Sequence, residues 1–193
     1  PELMIISYQP GGTKEDFDLE DSAQFENNDF RLPTLNAYVE TDYPMAKKVK
    51  KLFAFEGGPE QLNQSVIFPL IFFRAPRIRA WRDNSLLVRD ERKKMEKFSF
   101  EKVKEIIDEI HPKKILVLGI ETFDQLQTIL DPISRTEPIH TRTRGGARLM
   151  VRTKLLGYET LATIHPSGAR ISNTDFDKLR NSLQKWLRDE PSI

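Results

Sequence analysis

Apolar residues along the chain come in short runs set between longer polar stretches, and the runs differ in period. Residues 3–7 (LMIIS), 65–73 (SVIFPLIFF) and 113–120 (KKILVLGI) are nearly continuous apolar segments of strand length. That pattern marks strands buried on both faces. Residues 148–168 divide at Gly157-Tyr158 into an outer strand and a fourth core strand ending at His165. Elsewhere the period is helical. Met45, Val49, Leu52 and Phe53 share one face of a helix predicted from Pro44 to Phe55, with Pro44 in its first turn and Gly57-Gly58-Pro59 at its end. Phe100, Val103, Ile106, Ile107 and Ile110 predict a helix from Phe98 to Ile110, capped by Ser99 and stopped by His111-Pro112. Gly119 turns the third strand into a helix over 121–130, closed by Asp131-Pro132. A last helix, capped by Thr174, presents Phe176, Leu179, Leu183 and Trp186. Residues 13–43 are polar, acidic and nearly aperiodic, and predict a long loop with one short helix. Pro69 is odd inside an apolar strand, because proline has no N–H for a ladder.

Strands that alternate with helices predict an α/β fold: a three-layer α/β/α sandwich around a mostly parallel, four-stranded sheet. The 193 residues are read as a single domain, 1–193, and as a monomer. The chain opens on Pro1, within two residues of its first strand, so upstream sequence is expected to be missing. No apolar run reaches the roughly 18 residues of a membrane span, and no membrane partner is expected. The absence of cysteine removes disulfides, thiolate metal clusters and a cysteine nucleophile, and fits a reducing, cytoplasmic setting. With only three histidines, no metal and no other cofactor are expected.

The net charge of +1 hides a strong asymmetry. Residues 1–44 carry ten acids against two bases, whereas 74–97 and 135–170 each carry a net of +5. Either basic block alone fits an ordinary solvated surface; two on one chain suggest a polyanion-binding face. Arg74, Arg77, Arg79 and Arg82 with Trp81 suit phosphate contact and base stacking, and Arg142, Arg144 and Arg148 extend the set.

Ligands of parallel α/β sheets bind beyond the carboxyl ends of the strands. Three turns should converge there: Tyr8-Gln9-Pro10-Gly11-Gly12, Phe73-Arg74-Ala75-Pro76-Arg77 and His165-Pro166-Ser167-Gly168. Neither a phosphate-cradling G-x-x-x-x-G-K-S/T loop nor a G-x-G-x-x-G turn is present, which argues against nucleotide triphosphatases and dinucleotide enzymes. Taken alone, His165 reads as a turn histidine bonded to backbone.

The strand running into x-x-P-G, the middle strand followed by F-R-A-P-R, the L-V-L-G strand and the last strand entering A-T-I-H-P-S-G-A-R together resemble the uracil-DNA glycosylase superfamily. The resemblance spans nearly the whole chain in order, and the H-P-S turn is its most specific part. It implies a DNA glycosylase that flips a base out of single- or double-stranded DNA and hydrolyses its N-glycosidic bond through an oxocarbenium-like state. In that reading His165 stabilises charge on the leaving base, Ser167 contacts a phosphate or stiffens its loop, and Arg170 or Ile171 wedges into the duplex.

The resemblance also has departures. Tyr8 and Gln9 stand where the family usually carries an acid before the P-G turn. Gln9 can hold water but cannot take its proton; Asp16 is the preferred stand-in, although Glu15 and Asp16 also fit a merely exposed acidic loop. Pro69 stands at the position of the asparagine that reads the pyrimidine edge. The base pocket is then expected from Tyr8, Pro10, Gly11 and Pro69, with Phe30 as the stacking ring. Such a pocket suits a damaged or modified base, in repair or in defence against modified foreign DNA, at the nucleoid. A catalytically silent nucleic-acid-binding module of the same fold is the alternative, and a hydrolase of free nucleosides a weaker third.

Overall fold

The computed structural model describes residues 1–8, 36–73, 81, 88–133, 137–166 and 171–189. Six strands and six helices occur among them: β1 (Leu3–Ser7), α1 (Ala37–Glu40), α2 (Pro44–Leu52), α3 (Gly58–Asn63), β2 (Val66–Pro69), α4 (Arg89–Ile110), β3 (Lys114–Leu118), α5 (Ile120–Leu130), β4 (Ile139–Arg142), β5 (Arg148–Leu155), β6 (Tyr158–Thr163) and α6 (Asn173–Leu187). The sheet runs β2-β1-β3-β6-β5-β4. Its first four strands are mutually parallel, while β5 and β4 are antiparallel additions beyond β6. The sheet therefore has six strands where four core strands were expected. The outer strand is β5. The further strand, β4, consists of exposed or half-exposed residues and carries no apolar signal.

Alternation along the strands divides the core between two faces. Met4, Ile6, Tyr8, Val117 and Ala162 pack with Val103 and Ile107 of α4 and Phe123 and Leu126 of α5. Leu3, Ile5, Leu116, Leu118 and Leu161 pack with Val49 and Leu52 of α2 and with Phe176, Leu179 and Leu183 of α6. Helices thus cover both faces of the sheet. None in the described residues is long and apolar enough to cross a membrane.

Several local expectations are corrected. Helix α2 ends at Leu52 with Phe53 as its C-cap, so Gly57-Gly58-Pro59 does not end it; it begins α3, with Gly57 at its N-cap and proline in the first turn, where the missing N–H costs nothing. Helix α4 starts nine residues before Phe98. Its charged first half is built from good helix formers and has i,i+4 pairs Arg92–Glu96 and Lys97–Glu101. Ser99 is consequently internal and fully buried, and its hydroxyl accepts from the Phe72 N–H at 3.2 Å. Ser172, not Thr174, caps α6 by accepting from the Asp175 N–H at 3.0 Å.

Pro69 loses its oddness. It is the last residue of an edge strand, and Leu70 supplies the N–H that reaches the Ser7 carbonyl at 2.7 Å. Successive backbone groups point to opposite sides of a strand, so the nitrogen of Pro69 faces the open edge.

Candidate functional site

The order β2-β1-β3 means that the chain leaves β1 to one side and returns to the other. The carboxyl ends of β1 and β3 therefore flank a topological switch point, the usual crevice for a ligand in this class of sheet. Beyond β1 comes Tyr8. Beyond β3 comes Gly119, whose N–H donates to the Thr163 carbonyl at 2.9 Å and keeps β3 and β6 paired up to the edge. Two residues after β6 comes His165.

Gly119 ends β3 beside this switch point. Its φ of +124° suits glycine. A Cβ there would lie 2.8 Å from Thr122 Oγ1 and 3.5 Å from His165 Cδ2. The imidazole thus lies against the bare backbone at the end of β3, next to the first turn of α5. Burial lowers the His165 pKa from the ordinary imidazole value, and the nearby Glu121 carboxylate partly opposes that shift. The shift favours the uncharged ring, in which one nitrogen carries the N–H and the other a lone pair.

Glu121 was not among the residues singled out from the sequence. It is an acid in the first turn of α5, a place where a carboxylate is ordinary because it suits the helix dipole. The available signal was positional: Gly119-Ile120-Glu121 follows a core strand at its carboxyl end.

Tyr8, Pro69 and His165 come to the same, carboxyl end of the parallel strands. Tyr8 is only 4% exposed and belongs to the core between β1, β2 and α4; its carbonyl accepts from the Ile71 N–H at 2.8 Å. Any contact it makes with a ligand is therefore as a floor. Pro69 is paired in register with Ser7. From β6 to β1 is two strand spacings, roughly 10 Å, and Pro69 lies one spacing farther from His165. On the opposite face at the end of β1, the Tyr38 hydroxyl is hydrogen-bonded to Ser7 and Tyr43, and burial pushes its pKa up. Gln9, Pro10, Gly11, Asp16, Phe30, Arg74, Arg77, Arg79, Ser167 and Arg170 lie outside the described residues.

One expected nucleic-acid contact is corrected. Trp81 is not a stacking platform: it is 1% exposed, its Nε1 donates to Glu96 at 2.9 Å, and Phe73 stacks on it at 6.2 Å. Arg148 forms a two-bond pair with Asp124 of α5, at 2.9 and 2.6 Å.

A shallow groove of about 370 Å³ lies between α4 and α5, lined by Lys97, Phe100, Lys104 and Ile129. Ile129 is ten residues beyond Gly119, roughly 15 Å along α5, so this groove is separate from the strand ends. Among the described residues, no group of three histidine, cysteine, aspartate or glutamate side chains could hold a metal ion. A scan against protein-family models and a search of curated proteins give no match to the chain.

Proposed function

We propose that the chain is a DNA glycosylase of the uracil-DNA glycosylase type, in a three-layer sandwich whose parallel strands β2, β1, β3 and β6 form the catalytic scaffold. The observation that carries the reading is His165: an imidazole packed against the side-chain-free backbone of Gly119 at the end of β3, beside the switch point of a parallel sheet. Breaking the bond between C1′ and the base nitrogen sends the electron pair onto the base, and water supplies the hydroxyl at C1′, its other proton ending on the released base. The His165 N–H donates to the base carbonyl oxygen on which that charge collects. A neutral donor placed for the transition state acts on rate rather than on binding.

The acid usually found before the P-G turn is replaced by Gln9, and the base-reading asparagine by Pro69. Uracil is therefore a poor substrate, and a bulkier modified or damaged base fits the reading better. The same departures favour the second reading, a silent nucleic-acid-binding module that has kept the fold.

The test is single-turnover base release from a panel of DNAs carrying modified and damaged bases, with alkali to reveal abasic sites. One oxyanion donor is typically worth about 10²–10³ in rate. His165→Ala should lose that much on the best substrate, and more than Gln9→Ala. Full activity in His165→Ala would remove the glycosylase reading. DNA binding without release from any base, by wild type included, would leave the silent module.

A further inference from the structure

Strand β5 is antiparallel to β6, with Met150 opposite Thr163. The Ile164 N–H donates to the Leu149 carbonyl at 2.8 Å. The start of β5, and the turn over 143–147 that precedes it, therefore lie at the edge of the sheet that carries His165. The β4–β5 hairpin reaches the rim of the site from outside the parallel strands.

Its charge is of one sign. Residues 138–158 contain Arg142, Arg144, Arg148, Arg152 and Lys154 and no acid. These bases are not equivalent. Arg148 is held in its two-bond pair with Asp124, which ties the hairpin to α5. Lys154 is at the other end of β5 and pairs with Glu159 at 3.5 Å. Arg142 and Arg144 are exposed at the turn.

The turn is a built one. The Thr143 N–H donates to the Ala147 carbonyl at 2.9 Å and the Gly146 N–H to the Thr143 carbonyl at 3.0 Å. Arg142 Nη1 donates to the Gly146 carbonyl at 2.6 Å, which orients the guanidinium while leaving its other N–H groups for a partner. A register shift at Thr141/Arg142 puts Arg142 opposite Arg148. Two adjacent core positions, Leu149 and Met150, consequently face the same side of the sheet. Such bulges bend a strand locally.

We propose that this hairpin is a phosphate-contacting arm, with Arg142 and Arg144 taking the DNA backbone beside the nucleotide presented to His165. The proposal rests on the reading of the site as one that acts on DNA. Arg148 serves as the strut that positions the arm rather than as a contact. A simpler account of basic residues on an edge strand is protection against edge-to-edge association, and the two accounts predict different results.

The experiment is fluorescence anisotropy of wild type, Arg142→Ala/Arg144→Ala, Arg142→Lys/Arg144→Lys and Lys154→Ala on a labelled DNA duplex across a salt series. Each lost phosphate contact lowers the slope of log affinity against log salt by about 0.9. The double alanine variant should lose nearly two units of slope, so that its deficit shrinks about tenfold between 50 and 200 mM salt. The double lysine variant should keep the wild-type slope, because charge carries the term, and Lys154→Ala should match wild type. A wild-type slope in the double alanine variant would overturn the arm while leaving the site's reading intact. Self-association of that variant with an unchanged slope would do the same, in favour of edge protection. A wild-type protein with no salt-dependent affinity for DNA would overturn the functional reading and the arm together.

Discussion

Replacing Gly119 with alanine tests the geometry on which the site depends. Two costs can be separated. The first is backbone: an L-residue held at φ +124° and ψ 117° sits in a sparsely populated region, at about 1–3 kcal/mol. The second is contact. The new Cβ meets Thr122 Oγ1 at 2.8 Å, and Thr122 is 2% exposed, so its side chain must leave its rotamer well at about 1 kcal/mol. The approach to His165 Cδ2, at 3.5 Å, is ordinary van der Waals contact and moves nothing. Gly119→Ala should therefore destabilise by about 2–4 kcal/mol while leaving the imidazole in place. Urea denaturation followed by circular dichroism reads the first effect, and the His165 ring resonances read the second. A Thr122→Ala background removes the offending oxygen, so a double-mutant cycle should recover the contact cost and leave the backbone cost. A Gly119→Ala protein within about 0.5 kcal/mol of wild type, the range of a neutral surface change, would refute this account of Gly119.

Two further predictions concern opposite ends of the parallel strands. Lys114 is 12% exposed; its Nζ donates to the Trp186 and Leu187 carbonyls at 2.8 and 2.9 Å and pairs with Asp189 at 2.7 Å. Lys114→Met keeps the stem but strips the end of α6 of its donor, and should cost about 2 kcal/mol in urea denaturation; Asp189→Asn should leave the midpoint nearly unchanged, because that carboxylate is mostly in water. His165 binds its proton less readily folded than unfolded, so its contribution to stability is present above about pH 6.5 and is lost as pH falls through the folded-state value. Glu121 opposes the shift, and Glu121→Gln should lower the His165 midpoint further in an NMR titration; an unchanged midpoint would separate the two groups.

The parallel part of the sheet was legible in the sequence because it is buried on both faces. LMIIS, VIFP and KILVL leave little choice once Gly, Pro and helical periods bound them. Elements without an apolar signal were not legible. The first half of α4, with Met95 its one apolar residue before Phe98, looks like a solvated charge run, and α3 opens on residues that ordinarily stop a helix. Strand β4 exposes Ile139 and His140 and alternates with nothing. In the candidate site, His165 was singled out by the H-P-S turn of the resemblance, after a buried strand. Glu121 was passed over because an acid in a helix's first turn already has a reason to be there. Trp81 was misread for the converse reason: its arginine neighbours suggested a surface, while its partners Phe73 and Glu96 lie elsewhere in the chain.

The two edges of the sheet solve the problem of unpaired backbone in different ways, and this bears on the proposed chemistry. At one edge β2 is four residues long and ends on Pro69, which removes an N–H that would face outward. That choice leaves an imino ring where the resemblance calls for a base-reading amide. At the other edge β4 carries His140 and Arg142 in the open, and its hairpin leads back to the rim beside His165. Side-chain hydrogen bonding is therefore absent at Pro69, on the far side of β1, while among the described residues the β4–β5 turn beyond β6 exposes Arg142 and Arg144. On the proposed reading, such a site would hold its polymer through phosphates and discriminate the base by shape and backbone contacts. An apolar pocket separates near-isosteric bases by only about 10–200-fold, far less than a dedicated polar reader achieves. On the proposed reading, this arrangement suits a site that accepts a group of altered bases rather than one defined base.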